Sequence, residues 1–210
     1  MYLSRVEIDT LNRRKISKLT HLGAYHDWVE KSFPLEIAAG ERFRHLWRID
    51  QLRGKSYLLV LSADKPDLSE LTRYGVVGTA ETKDYDQFLG QLTKDDIYRF
   101  RLTANPTYRS TRNEDGKSIV FPHVTIEQQK TWLLKKAQGA GFSLDQDDFD
   151  IVNREFVILY KNHRRVKLSR VTFEGVLRIV DLEKFKDTLI KGLGREKSYG
   201  MGLLTVIPVK

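Results

Sequence analysis

The sequence contains no cysteine among its 210 residues, which excludes disulfide bonds, thiolate zinc sites and a cysteine nucleophile. It also has no apolar run near the ~20 residues that a membrane-spanning helix requires. Charges within the apolar stretch of residues 1–8 exclude a signal peptide. Hydrophobic residues make up 40% of the chain and charged residues 30%, as in a globular protein. We therefore expect a cytoplasmic protein with one large domain or two small ones.

The net charge of +8 is concentrated near the C-terminus. Residues 1–150 hold 23 basic and 22 acidic side chains, whereas residues 151–210 hold 13 basic and 6 acidic ones. Residues 161–170 (KNHRRVKLSR) carry five positive charges and no negative one. A local positive field of this kind attracts polyanions, of which nucleic acid is the commonest. Charge alone leaves a solvated basic surface as an equal alternative.

The pattern of apolar residues predicts the same order of strands and helices twice. The first half gives strand 1–9, a helical stretch 13–33 that is broken near Gly23 and ended by Pro34, strands 43–50 and 57–61, a short helix from 67, and strand 99–104. Polar residues 109–117, with 113–116 (NEDG), form a linker or hairpin tip between the halves. The second half gives strand 119–121, helix 125–137 with a capping box of Thr125 and Gln128, strands 155–160 and 171–179, a helix capped by Asp181, and strand 203–207. The predicted fold class is α+β, with two tandem ferredoxin-like (βαββαβ) domains at residues 1–108 and 109–210.

Residues 192–204 (GLGREKSYGMGLL) form a glycine-rich loop between the last predicted helix and the last strand. Its glycines are Gly192, Gly194, Gly200 and Gly202. Side chains that can bind phosphate lie between them: Arg195, Lys197 and Ser198. Glycine lets backbone N–H groups converge on an anion, although the spacing is not that of a Walker A loop. A helix C-cap followed by a tight turn is the alternative.

Four short motifs follow one another along the chain: residues 1–4 (MYLS), 100–106 (FRLTANP), 173–175 (FEG) with Leu177, and 199–204 (YGMGLL). Together they resemble the CasE-type endoribonucleases of type I-E CRISPR systems. The resemblance implies tandem ferredoxin-like domains and cleavage of CRISPR repeat precursor RNA without a metal or any other cofactor. It also implies attack by the 2′-hydroxyl, with 2′,3′-cyclic phosphate and 5′-hydroxyl ends. The expected partners are the repeat stem-loop, the mature crRNA and other subunits of the surveillance complex.

The resemblance places the catalytic histidine in the first helical region, eight residues before a proline. His26 precedes Pro34 by eight residues and is the expected group for proton transfer. His21, on the same element, is the runner-up. Lys31 is expected to neutralise the scissile phosphate, and its alternative is an i,i+4 ion pair with Asp27.

Some members of the family have a tyrosine three positions before the histidine, but here Gly23 occupies that position. Tyr25 is adjacent, and whether it substitutes is left open. The departure leaves a non-catalytic protein that binds structured RNA as the alternative function.

Three further histidines have other expected roles. His45 alternates with Phe43 and Trp47, which predicts a packed position. His123 follows a strand, and His163 lies in the basic segment, where contact with RNA is expected.

We assign RNA binding to the C-terminal half. A basic hairpin can follow the phosphates of an RNA stem. Side chains cannot read the bases of such a stem through its deep, narrow major groove. The expected contacts are Arg164, Arg165, Lys167 and Arg170 in the hairpin, with Arg195, Lys197 and Ser198 in the glycine-rich loop. The aromatic motif of base-stacking RNA-recognition domains is absent from the strands, so shape and phosphate contacts are expected to dominate.

Overall fold

The computed structural model describes residues 1–110, 119–161 and 164–209, and it describes only the backbone at residues 160, 161, 164 and 165. The predicted linker tip at 113–116 and His163 lie outside the described residues. The chain divides into unit 1, Met1–Leu92 with Lys197–Leu203, and unit 2, Thr93–Glu196 with Leu204–Lys210. In the described part of the chain, no helix is long and apolar enough to cross a membrane.

Unit 1 contains a four-stranded antiparallel sheet. Its elements are β1 (Tyr2–Glu7), α1 (Arg13–Ile16), α2 (Leu22–Lys31), α3 (Pro34–Ala39), β2 (Leu46–Leu52), β3 (Lys55–Ser62), α4 (Leu68–Leu71), β4 (Glu81–Asp84), α5 (Asp86–Gln91) and a 3-10 turn at Lys197–Tyr199. The strand order β2-β3-β1-β4 is that of a ferredoxin-like unit. Its core contains Val6 from β1, Leu58 and Val60 from β3, and Trp28 and Val29 from α2, none more than 1% exposed.

Pro34 begins a helix instead of ending one. Helix α2 ends at Lys31, and Pro34 is the first residue of α3. Proline is tolerated there because the first N–H groups of a helix have no partner within it. The break that was expected near Gly23 lies a little earlier, at residues 17–21, between α1 and α2.

Unit 2 contains a five-stranded antiparallel sheet and a separate two-stranded ribbon. Its elements are β5 (Ile97–Ala104), β6 (Thr107–Arg109), β7 (Val120–Pro122), α6 (Ile126–Ala140), β8 (Phe142–Ser143), β9 (Phe149–Lys161), β10 (Arg164–Ile179), α7 (Leu182–Lys191) and β11 (Leu204–Pro208). Strand β5 lies between β11 and β10, and β9 pairs with β10 on its other side. The order β11-β5-β10-β9 repeats the ferredoxin-like arrangement.

The position of β5 corrects one step of the predicted topology. The strand at 99–104 was expected to close the first sheet, but it is a central strand of unit 2. Strand β4 closes the first sheet instead, and β7, expected to open the second, pairs only with β6 among the described strands. The chain passes from unit 1 to unit 2 between Leu92 and Thr93, and it returns to unit 1 for Lys197–Leu203. Alternation identifies a strand but does not specify its partner.

The local signals in unit 2 are confirmed. Thr125 and Gln128 form the predicted capping box of α6, and the Asp181 side chain caps α7. The basic segment forms the end of the β9–β10 hairpin, where Lys161 pairs with Arg164.

Candidate active site

Helix α2 carries His26 and begins at a histidine cap. The Nδ1 atom of His21 accepts a hydrogen bond from the backbone N–H of Ala24 at 3.2 Å, satisfying one of the free donors of the first turn. Trp28 and Val29 are buried, so the helix is fixed by its apolar face. His26 lies partly exposed, with 33% of its side chain accessible.

The His26 ring is enclosed on one side. Its Nδ1 atom is buried, has no hydrogen-bond partner among the described residues, and lies 3.8 Å from Glu30 Oε1, one helical turn away. The exposed third of the side chain therefore does not include Nδ1. The free Nε2 position can exchange a proton with a bound molecule.

Tyr199 packs against His26, with ring centroids 5.7 Å apart and an interplanar angle of 60°. Strand β2 holds the chain on both sides of this tyrosine. The indole N–H of Trp47 donates to the Ser198 carbonyl at 3.0 Å, and the buried Arg48 donates to the Leu203 carbonyl at 2.8 Å. The segment Lys197–Leu203 is thus anchored where it places Tyr199 beside His26.

His26 and Lys31 both line a cleft of about 490 Å³ in unit 1. The ionisable side chains of this cleft are His26, Asp27, Glu30, Lys31, Glu36, Glu41, Arg42 and His45. Lys31 Nζ lies 2.8 Å from Asp27 Oδ2, and both side chains are about half exposed. An exposed i,i+4 pair contributes only ~0.3–0.5 kcal/mol, so a phosphate could replace Asp27 as the partner of Lys31 at little cost.

His45 is buried, as the alternation of residues 43–47 predicts. Its Nδ1 lies 3.0 Å from Glu30 Oε1 and its Nε2 lies 3.2 Å from Glu36 Oε1. Phe33 stacks on the ring at 3.8 Å. Burial lowers the pKa of His45, but the hydrogen bonds with Glu30 and Glu36 raise it more, so its pKa lies above the ordinary value.

The position of Gly23 has a local explanation. A Cβ atom there would lie 3.0 Å from Cε1 and Nδ1 of the His21 ring that caps the helix. Tyr25 stacks on Trp47, with centroids 6.0 Å apart. The aromatic ring beside His26 is therefore supplied by Tyr199.

Sequence reasoning missed Tyr199 and Glu30 as neighbours of His26. The i,i+4 spacing of His26 and Glu30 on a predicted helix is a signal that could have identified the glutamate. For Tyr199, the sequence offers only one indication of a role at the site, which is its position as an aromatic residue among the glycines of the loop.

His123 belongs to unit 2. The centroid of its ring lies 5.0 Å from that of Tyr108. Burial lowers the pKa of His123, and the positive charge of Lys135 lowers it further.

The residues expected to bind RNA differ in their availability. Lys167 is exposed and lies 4.0 Å above the Phe156 ring, whereas Arg170 is largely covered and lies 3.4 Å from Glu155. Arg164 and Arg165 occupy the start of β10, and their side chains lie outside the described residues.

The glycine-rich loop is divided between the units, with Arg195 exposed in unit 2, and Lys197 and Ser198 in unit 1. All four predicted glycines have positive φ angles: Gly192, Gly194, Gly200 and Gly202. Gly192 is also the C-cap of α7, which agrees with the simpler interpretation of that position.

Across residues 1–110, 119–161 and 164–209, no group of three or more acidic or histidine side chains is arranged to hold a metal ion.

Comparison with known proteins gives matches over the whole chain. Residues 1–208 match the model of a family described as CRISPR associated protein. The CRISPR-associated endoribonuclease Cse3 of Thermus thermophilus is 28% identical over 99% of this chain and 100% of that protein. The Escherichia coli CRISPR system Cascade subunit CasE is 28% identical over the full length of both chains. The structure of Thermus thermophilus Cse3 bound to an RNA representing a pre-cleavage complex has a TM-score of 0.78 and 27% identity, covering 99% of this chain and 98% of that chain.

Proposed function

The chain belongs to the family of CRISPR-associated proteins, and from this premise we propose that it is an endoribonuclease that cleaves CRISPR repeat precursor RNA. The observation that carries the proposal is His26, half enclosed in a cleft with Lys31 and flanked by Tyr199 from the glycine-rich loop. The full-length match to an endoribonuclease supports it.

The chemistry is cleavage without a metal ion. The 2′-hydroxyl beside the scissile phosphate loses a proton and attacks phosphorus, the bond to the 5′-oxygen of the next nucleotide breaks, and that oxygen gains a proton. The products carry 2′,3′-cyclic phosphate and 5′-hydroxyl ends. His26 transfers a proton through Nε2, since Nδ1 is buried. Lys31 exchanges Asp27 for the scissile phosphate and stabilises the charge that develops on its oxygens.

RNA binding is the role of the basic hairpin and the glycine-rich loop. Lys167 is exposed and its ammonium group lies over the Phe156 ring, so it is available to a phosphate. Arg170 is paired with Glu155 and contributes less. Arg164 and Arg165 lie at the end of the hairpin, where they can bind the phosphates of a stem-loop. After cleavage the protein keeps the mature crRNA as a subunit of the type I-E surveillance complex, a proposal that the match to a Cascade subunit supports.

A non-catalytic RNA-binding protein is the second candidate, and it is favoured by Gly23, which stands where the resemblance implies a tyrosine in some family members. One incubation separates the two. Repeat RNA labelled at its 5′ end is mixed with the protein in EDTA. We expect one cleavage site and a product whose 3′ end resists phosphatase until mild acid opens the cyclic phosphate. Binding without cleavage would support the second candidate, and cleavage restored only by Mg²⁺ or Mn²⁺ would contradict the mechanism.

A further inference from the structure

Glu30 lies between two histidines in unit 1. Its Oε1 atom is 3.0 Å from Nδ1 of His45 and 3.8 Å from Nδ1 of His26. His26 and Glu30 are one turn apart on α2, so the spacing of the two side chains is set by the helix. His45 stands just before β2, on a different element, and its Nδ1 contacts the same oxygen.

The charge state of this group follows from its hydrogen bonds. Both ring nitrogens of His45 face carboxylates, Glu30 and Glu36, and an imidazole can donate to both only when both nitrogens are protonated. The His45 side chain is 1% exposed, so this imidazolium is screened little by water. Burial raises the pKa of Glu30, but the hydrogen bond and charge of His45 outweigh burial and hold that pKa below its ordinary value. Glu30 is therefore a carboxylate.

We propose that Glu30 is a positioning residue for His26, and that the buried His45–Glu36 pair fixes Glu30 for this role. The carboxylate attracts a proton to Nδ1 of His26, which leaves Nε2 as the atom that takes a proton from the RNA. The same carboxylate stabilises the imidazolium that forms after this transfer. This inference rests on the proposed role of His26 in RNA cleavage.

The geometry supports this arrangement. A bare lone pair on the buried Nδ1 would be repelled by the carboxylate 3.8 Å away, whereas an N–H would be attracted. The separation of 3.8 Å exceeds a hydrogen bond, but catalytic hydrogen bonds in free enzymes are often long and shorten when substrate binds. The Tyr199 ring, with its centroid 5.7 Å from that of His26, further limits rotation of the imidazole.

The first test measures cleavage and binding separately. Glu30→Gln keeps the size of the side chain and removes its charge. We expect the single-turnover rate to fall about 10- to 100-fold, while the dissociation constant for repeat RNA stays within about 3-fold of the parent value. The matched control is Glu81→Gln, which neutralises an exposed glutamate paired with Arg5 outside the cleft and should cleave at the parent rate. Equal rates in parent and Glu30→Gln would overturn the proposal.

The second test needs no RNA. Long-range ¹H–¹⁵N spectra of the full chain, with the His26 signals assigned from a His26→Asn variant, report which ring nitrogen carries the proton in the neutral state. We expect the Nδ1–H tautomer in the parent and a shift toward Nε2–H, the form free histidine prefers, in Glu30→Ala. If the Glu30→Ala variant unfolds, Glu30→Gln gives the same comparison through a weaker shift. If neutral His26 carries its proton on Nε2 in the parent protein, the role of Glu30 is overturned even if the protein cleaves RNA. If His26 carries its proton on Nδ1 but the protein does not cleave RNA, the proposed function has failed instead.

Discussion

Gly200 lies against the indole ring of Trp47, so close that a Cβ atom on residue 200 would stand 2.6 Å from the ring. The φ angle of Gly200 is 75°, a conformation that other residues rarely adopt. Trp47 also binds the Ser198 carbonyl through its indole N–H. The tryptophan thus contacts the loop on both sides of Tyr199 and determines where that ring meets His26.

Substitution of Gly200 by alanine should displace this loop. The added methyl group meets a buried ring, and overpacking of this kind costs about 1–3 kcal/mol, to which the left-handed conformation adds about 1 kcal/mol. We expect Gly200→Ala to lower the melting temperature by several degrees and the single-turnover cleavage rate at least about 10-fold. Calorimetry and a quenched-flow cleavage assay measure the two effects. A lower melting temperature with an unchanged rate would show that His26 works without Tyr199.

The control is Gly139→Ala. Gly139 lies in α6, and a Cβ atom there would have no neighbour within 4 Å. Alanine is the better residue inside a helix, so this variant should gain about 0.5–1 kcal/mol of stability and cleave normally.

Most of the fold was accessible from the sequence because its signals are local. The Thr125–Gln128 box and the Asp181 cap depend on residues within one helical turn, and both are confirmed. The membership of β5 could not be read in this way, since its partners β10 and β11 lie far along the chain. The contact of Tyr199 with His26 is hidden for the same reason.

Removal of the His26 imidazole should affect chemistry more than binding. We expect His26→Ala to lower the single-turnover rate by roughly 10²–10⁴-fold, the usual contribution of a positioned acid–base group. The dissociation constant for repeat RNA should stay within several-fold, because phosphate contacts elsewhere supply most of the affinity. Rapid-quench kinetics and filter binding measure the two quantities. A variant that cleaves at the parent rate would refute the assignment.

His21 provides the control for His26, but its cap must be preserved. His21→Ala would remove the hydrogen bond to the Ala24 N–H and cost about 1 kcal/mol of stability. His21→Ser keeps a preferred capping group, so this variant should fold and cleave normally. If His21→Ser were the inactive variant, the catalytic histidine would be His21.

Lys31 can be tested together with its ion-pair partner. Lys31→Met removes the positive charge and keeps a side chain of similar length. We expect this variant to lower the cleavage rate about 10²-fold. Asp27→Asn releases Lys31 from its exposed pair and should leave the rate within several-fold of the parent or raise it. If both variants lost activity equally, the ion pair itself, and not the free lysine, would be the functional unit.

The basic hairpin should contribute to the salt dependence of RNA binding. Replacing Arg164 and Arg165 together with alanine removes two phosphate contacts, so the slope of log K against log salt should fall by about 1.4–1.8. Titrations at several salt concentrations measure this slope. Replacing Lys184 and Lys186 together on α7, where each pairs with an acidic side chain, removes equal charge and should leave the slope unchanged. An unchanged slope in the arginine variant would show that these side chains point into solvent.

The cluster of His45 with Glu30 and Glu36 should make stability depend on pH in a defined window. The pKa of His45 is raised above 6.5, so its contribution is complete below pH 6.5 and is lost as the pH rises through the higher value in the folded protein. The pKa of Glu30 is lowered from 4.5, so its contribution is complete above pH 4.5 and is lost as the pH falls. The contributions of His45 and Glu30 to stability are both complete only between about pH 4.5 and 6.5.

We therefore expect the difference in unfolding free energy between the parent and His45→Gln to be largest between about pH 4.5 and 6.5, since glutamine stays neutral throughout. Urea denaturation from pH 4 to 9 measures this difference. His123→Gln is the control of opposite sign: burial lowers the pKa of His123, so the parent should lose stability relative to this variant as the pH falls below 6.5. A difference for His45→Gln that grew above pH 7 would mean that His45 binds its two carboxylate neighbours as a neutral ring, and that Glu30 is not held by an imidazolium.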